Sequence, residues 1–220
     1  MMDKAIKQGY EAPASAYYDT STGLHSLEIW SKLSLPQMNA KYLVFHELTH
    51  IWDAEVYSRK DKVKHMSNKG YTEYHASQID LLELLGVKNT AQPISFNMNQ
   101  TVNTFSGTKT VKAYVDEART LAIELIQRDD FPANIATLAT TLGIIFNYYG
   151  RRSICKIHAT NFEDNADMSV ISAFIGENGD STINALNNFM LGWLEPERVA
   201  FIDKLYHDMT FYLLKKYKLS

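Results

Sequence analysis

The sequence predicts an α+β fold in which short strands near the N-terminus are followed mainly by helices. Turn-forming residues separate apolar residues before residue 33. From there on, apolar residues recur every three or four positions, as in amphipathic helices. The 220 residues are 45% apolar and 21% charged, which is ordinary for a globular protein that folds without disulfides.

The segment from Ala16 to Lys32 contains the turn-like residues Asp-Thr-Ser-Thr-Gly, followed by apolar residues at Leu24, Leu27 and Ile29. Glycine and small polar residues between apolar positions favour a strand or hairpin, although a helical turn would also accommodate them.

A first helix is expected to begin at Ser34, whose hydroxyl can cap the free N–H groups, with Pro36 in the first turn. The periodic apolar positions predict one broad buried face that continues to about Tyr57. These positions are Met38, Tyr42, Phe45, Leu48, Ile51 and Trp52.

A second helix is expected from about residue 72 to residue 85, with Gly86 as its C-terminal cap. Its predicted apolar stripe consists of Ala76, Ile79, Leu82 and Leu85. Glu73, Ser77 and Asp80 fall on a different side.

A polar stretch follows and predicts a domain boundary. We expect a first domain over residues 1–88, a linker over 89–107 and an all-helical domain over 108–220. Residues 131–149 carry no charge, which is compatible with a membrane span, but Pro132, Asn134 and several threonines favour a buried helix.

Charge and cysteine content exclude several classes of function. The net charge is −3 and the basic residues form no extended stripe, so we expect no direct nucleic-acid partner. The single cysteine, Cys155, cannot form an intramolecular disulfide, and no signal-peptide pattern is present. We therefore expect a cytoplasmic protein with no membrane partner; the oligomeric state stays open.

The segment His46-Glu47-Leu48-Thr49-His50 is an HExxH motif within the first predicted helix. Its two histidines are four residues apart, so both rings leave the same helix face and can bind one tetrahedral zinc ion. Glu47 is placed to act as a general base towards a water activated by that ion.

A third metal ligand must come from another element, because the metzincin continuation is absent: Asp53 and Val56 stand where a glycine and a histidine would be. Glu73 is favoured, since it begins the second helix and points away from the apolar stripe. His75 is the rival ligand, but two positions along a helix turn by about 200°, so both cannot face the metal.

Further residues are expected to support the site. Asp80 and Asp53 can each accept the free ring N–H of a ligating histidine. Tyr57, Tyr71, Tyr74 or His75 could stabilise an oxyanion, a choice that the sequence leaves open.

The order of a short strand, the HExxH helix and then Glu73-Tyr74-His75-Ala76 resembles the ImmA/IrrE family of metallopeptidases over about residues 16–86. The resemblance implies a minimal zincin-like domain with zinc held by His46, His50 and Glu73, and with Glu47 as base. It also implies a protein or peptide substrate, such as a helix-turn-helix transcriptional repressor.

We therefore expect a zinc-dependent intracellular metallopeptidase. The alternative is a helical interaction module, encoded by a mobile element, whose zinc site is structural or inactive. The two differ in whether a fourth protein ligand, for example His65 or His75, closes the metal site.

Overall fold

The computed structural model describes residues 13–19, 21–29, 40–187 and 194–219. In these ranges the chain is a mixed α+β protein, as the sequence predicts, with seven α-helices and two separate antiparallel hairpins. The strands are β1 (Ala14–Asp19), β2 (Leu24–Ile29), β3 (Thr101–Thr104) and β4 (Gly107–Thr110). The helices are α1 (Lys41–Asp53), α2 (Lys62–Ser67), α3 (Lys69–Leu84), α4 (Val111–Ile126), α5 (Ile135–His158), α6 (Ser169–Asn187) and α7 (Pro196–Lys216).

The first hairpin, β1–β2, confirms the strand prediction for this part of the sequence. Its register pairs Ala14 with Ile29 and Asp19 with Leu24. The Asp19 carboxylate accepts the Ser21 hydroxyl at 2.6 Å and the Ser21 amide at 2.8 Å, and these bonds lower the pKa of Asp19 to about 2. β1 packs against α1, so the hairpin lies beside the HExxH helix.

Helix α1 contains the whole HExxH motif, and a π-helical turn (Ala54–Ser58) extends it. The start predicted at Ser34 lies outside the described residues. The predicted buried face is wrong for three of its members: Phe45, Leu48 and Trp52 are exposed, whereas Tyr42, His46, Thr49 and Asp53 are buried. The helix turns a largely polar face inwards because α3 offers polar partners there.

Helix α3 lies at the centre of the fold, between α1, α5 and α7. It is buried on several sides, and Tyr71, Ser77 and Asp80 are buried as well as the apolar Leu81. The predicted cap is confirmed: Gly86 follows the helix with φ of +73°, a conformation that glycine adopts without steric cost.

A close contact between α3 and α5 depends on Gly150. A Cβ atom at this position would overlap the Ser77 hydroxyl and the Tyr74 carbonyl. Across the interface, Gln78 donates to the Ser153 hydroxyl at 2.8 Å, and Ser153 in turn donates to the Gly150 carbonyl of its own helix at 2.6 Å. The contacts of Gly150 and Gln78 thus join helices from the two halves of the sequence.

The polar stretch between the halves is ordered and packs on the core. Phe96, Met98 and Val102 are buried, and Phe96 forms a bridge with Ala159 at the end of α5. Buried residues from both sides of this stretch belong to one hydrophobic cluster. The division into domains 1–88 and 108–220, joined by a linker over 89–107, stays a prediction.

The second half is helical as predicted, apart from the hairpin strand β4 at its start. Helix α5 includes most of the uncharged segment and is buried inside the fold, with Leu138, Leu142 and Ile145 almost inaccessible. No helix within the described ranges is long and apolar enough to cross a membrane. Helix α6 is kinked at Gly176, whose φ of +64° is not helical, and the helix is described as far as Asn187.

Candidate metal centre

Helix α1 brings His46 and His50 to the same face, as their spacing predicts. The two Nε2 atoms are 3.1 Å apart, and the side chains are 11% and 12% exposed. Their rings meet nearly edge to face, with centroids 4.8 Å apart. Two nitrogen ligands are therefore directed at one point at the rim of a cleft.

Helix α3 supplies a carboxylate at the same point. Glu73 Oε2 lies 3.8 Å from His46 Nε2 and 3.7 Å from His50 Nε2. A tetrahedral ion with metal–ligand bonds of about 2.0–2.1 Å separates its ligand atoms by about 3.3–3.5 Å, close to these distances. His46, His50 and Glu73 can therefore hold a metal ion, and they are the group of ligating side chains detected in the described part of the chain.

Each histidine also has a partner for its other ring nitrogen. His46 Nδ1 is 3.3 Å from Asp80 Oδ2, and His50 Nδ1 is 2.8 Å from the Thr72 hydroxyl. When these nitrogens carry the protons, both Nε2 lone pairs face each other and Glu73. Such an arrangement of electron-rich atoms suits a cation.

The charges in the cluster are strongly coupled. Burial disfavours a charged Glu73, but the adjacent rings of His50 and His46 outweigh it and lower the pKa of Glu73 to about 2. Burial alone would also lower the pKa of His46, yet Asp80 and Glu73 raise it to about 10. Burial dominates at His50 and lowers its pKa to about 3. In the metal-free protein the buried carboxylates thus hold a proton on His46, where a cation would replace it.

Glu47 lines the same cleft but is not part of the metal-ligating group. Its Oε2 atom accepts the backbone N–H of Ala16 at 2.6 Å, which ties the carboxylate to β1. Burial raises the pKa of Glu47 above its ordinary value. A partly buried carboxylate with a raised pKa, beside side chains that can hold a metal ion, is suited to taking up and releasing a proton.

The cleft at the cluster has a volume of about 300 Å³. β1 forms one wall, and α5 forms another through Thr140 and Gly143. A Cβ atom at Gly143 would lie at van der Waals distance, 3.4 Å, from the carboxylate carbon of Glu73, so α5 packs directly beside this side chain. Lys69, one helical turn before Glu73, also lines the cleft.

A larger cleft, of about 730 Å³, lies between the π-helical turn, α2 and α7. It shares none of its lining residues with the cluster. Size alone therefore does not identify the chemical site, and we base the assignment on the converging ligand atoms.

Other sequence-predicted residues lie outside the cluster. His75 Nδ1 is 3.0 Å and 3.1 Å from the two carboxylate oxygens of Asp53, whose side chain is fully buried. His75 is therefore occupied by a structural contact between α1 and α3, and Asp53 supports it rather than a ligating histidine. His65 packs near the ring of Tyr18, at a centroid distance of 5.3 Å.

The tyrosines considered as oxyanion donors are absent from the lining of the cleft. Tyr71 packs between the rings of Tyr57 and His75, with centroid distances of 5.3 Å and 5.6 Å. Tyr74 donates its hydroxyl to Asn187 at 3.3 Å. Their position in the sequence near the metal ligands did not indicate the direction of their side chains.

Sequence reasoning missed three residues that shape the site. Thr72 precedes Glu73 on α3 and contacts His50, which its helical position could have suggested. Gly143 and Arg151 come from α5. Arg151 forms an ion pair with Asp80 at 2.8 Å, although 71 residues separate the two in the sequence. No local pattern indicates contacts at such a separation.

Comparison with known proteins provides no relative from which a function could be transferred. No family model matches the chain, and neither does any curated protein or solved structure.

Proposed function

We propose that this protein is a zinc-dependent metallopeptidase with a minimal zincin-like N-terminal part. The observation that carries the proposal is the convergence of His46, His50 and Glu73 beside Glu47 in one cleft. Two imidazoles and one carboxylate are a common ligand set of catalytic zinc, which keeps a fourth position open. The same motif and ligand set underlie the resemblance to the ImmA/IrrE family.

Bound at this site, zinc would polarise a substrate carbonyl and lower the pKa of a water molecule to about 7. Glu47 is the proposed base. Its Oε2 atom is held by the Ala16 N–H, and we assign proton transfer to its other oxygen, Oε1. His46 and His50 act as neutral ligands whose Nδ1 atoms donate to Asp80 and to Thr72.

The shape of the cleft supports a protein or peptide substrate. β1 lines the cleft, and in the described part of the chain it pairs only with β2, so its other edge, where the Ala16 N–H contacts Glu47, faces the site. An extended peptide can form backbone hydrogen bonds with such an edge. A helix-turn-helix repressor in the cytoplasm is the substrate that the family resemblance suggests.

The test compares the parent chain with Glu47→Gln, which preserves the shape of the side chain and all three ligands. Both proteins are expected to bind about one zinc ion per chain. Digestion of a cell-derived peptide library, analysed by mass spectrometry, should show zinc-dependent cleavage by the parent, reduced about 10²–10⁴-fold in the variant.

Two results would contradict the proposal. Equal cleavage by Glu47→Gln would exclude Glu47 as the base. Zinc held by four protein ligands, together with an absence of cleavage in the library and among cellular proteins, would favour the alternative of an interaction module with a structural zinc site.

A further inference from the structure

Arg151 is a largely buried arginine of α5, in the second half of the chain, and it contacts Asp80, the carboxylate beside His46. Its Nη2 and Nε atoms lie 2.8 Å and 3.3 Å from the two carboxylate oxygens of Asp80. The guanidinium carbon lies 4.2 Å from the centroid of the Tyr114 ring, and the side chain is 13% exposed. A two-point contact and a stacked ring restrict the guanidinium to one orientation.

Asp80 connects this arginine to a metal ligand. Its Oδ2 atom contacts both Arg151 Nη2 and His46 Nδ1, and its side chain is 1% exposed. A carboxylate so deeply buried requires charged or hydrogen-bonded partners on its oxygens. Arg151 compensates its charge, while Oδ2 remains directed at the imidazole.

We infer that Arg151 is a positioning residue of the metal site, which acts through Asp80 to hold His46 Nε2 towards His50 and Glu73. This inference rests on the proposed metal site. It assigns α5 a direct part in metal binding, beyond covering the cleft. Loss of Arg151 would leave Asp80 free to change its rotamer, and His46 would lose its fixed direction.

The structure contains a matched control in the next residue. Arg152 is also 13% exposed on its side chain and also forms an ion pair, but with Asp164, which is outside the metal site. Replacing either arginine by methionine removes one buried cation from α5. Only the Arg151 change affects the contact with His46.

The experiment measures zinc affinity of the full-length protein by competition with a chelator, for the parent, Arg151→Met, Arg151→Lys and Arg152→Met. Partners of ligating histidines typically contribute about 10–100-fold to metal affinity, so Arg151→Met should bind zinc that much more weakly. Arg151→Lys keeps the charge but not the two-point contact and should lie in between. Arg152→Met should match the parent.

A double-mutant cycle separates positioning from general destabilisation. If Arg151 acts through Asp80, adding Arg151→Met to Asp80→Asn should cause little further loss of affinity. The double variant also avoids an uncompensated buried charge, so it provides a test if Arg151→Met alone fails to fold. The absorption spectrum of bound Co²⁺ should change in Arg151→Met and not in Arg152→Met.

Undiminished zinc affinity in Arg151→Met would overturn the inference while leaving the proposed function intact. Full additivity of the two substitutions would do the same. Absence of zinc binding by the parent chain would overturn the proposed metal site and this inference together.

Discussion

Gly150→Ala is expected to destabilise the protein, because α3 and α5 meet at this glycine. The added methyl group would overlap the backbone carbonyl of Tyr74, which cannot rotate away, and the Ser77 hydroxyl. Overpacking typically costs about 1–3 kcal/mol, and a backbone obstacle puts this site near the upper end. Alanine offsets about 1 kcal/mol of this loss, because its helix propensity is higher than that of glycine. The free energy of unfolding should therefore fall by about 2 kcal/mol.

For a chain of this size, about 2 kcal/mol corresponds to a decrease in Tm of roughly 4–8 °C, which circular dichroism at 222 nm can measure. Gly143→Ala is the matched control on the same helix, because its new Cβ atom would lie 3.4 Å from the nearest atoms of Glu73. It should retain the Tm of the parent or exceed it slightly. If Gly150→Ala were as stable as Gly143→Ala, the close packing of α3 on α5 would be refuted.

Glu73→Ala should reduce zinc binding sharply, measured by metal analysis, whereas His75→Ala should retain about one ion per chain; the reverse ranking would make His75 the ligand. Burial raises the pKa of Asp203 to about 6, although Asn68 donates to it at 3.1 Å. The pKa of an aspartate in the unfolded chain is about 3.9, so between about pH 4 and 6 the folded state binds a proton that the unfolded state has lost. The parent should therefore lose stability as the pH rises through this range. Asp203→Asn should be more stable than the parent at pH 7, by on the order of 1–2 kcal/mol, but not at pH 4. Equal urea denaturation curves of the two proteins at pH 7 would contradict this effect of Asp203. Limited proteolysis should cut the chain at the exposed residues 88–92. The two fragments should elute together in size-exclusion chromatography, because both contribute to one hydrophobic core. Two separately folded fragments would instead support the two-domain division.

The sequence was sufficient to predict those features that depend on local spacing. The four-residue separation of His46 and His50 determines their shared direction on a helix. Gly86 was recognisable as a cap because few other residues adopt its backbone conformation. Glu73 and Asp80 were seven residues apart on one predicted face, and both contact His46 in the structure.

Features that depend on distant contacts could not be predicted in this way. The apolar pattern of α1 suggested that Phe45, Leu48 and Trp52 are buried, because hydrophobic periodicity assumes an apolar interior. Here the interior beside α1 is polar, and the inward face carries histidine and aspartate instead. The pairing of Asp53 with His75 decided the role of both residues, and neither spacing nor composition indicates such a pair.

The same limit applies to the second half of the chain. Its helices were predictable from their periodicity, but their relation to the metal site was not. Arg151 appeared in the sequence only as a charge after an uncharged stretch. Its contact with Asp80 arises because Gly150 lets α5 approach α3, which is a property of packing between two helices rather than of either sequence segment.

X-ray absorption spectroscopy of the zinc-loaded protein examines the proposed open zinc site formed by His46, His50 and Glu73. We expect about one zinc ion per chain, with two imidazole nitrogens, one carboxylate and a non-protein ligand that an added hydroxamate displaces. Glu73→Ala should remove the carboxylate from this set. A site closed by four protein ligands, or a parent chain that binds no zinc, would rule out this open zinc site.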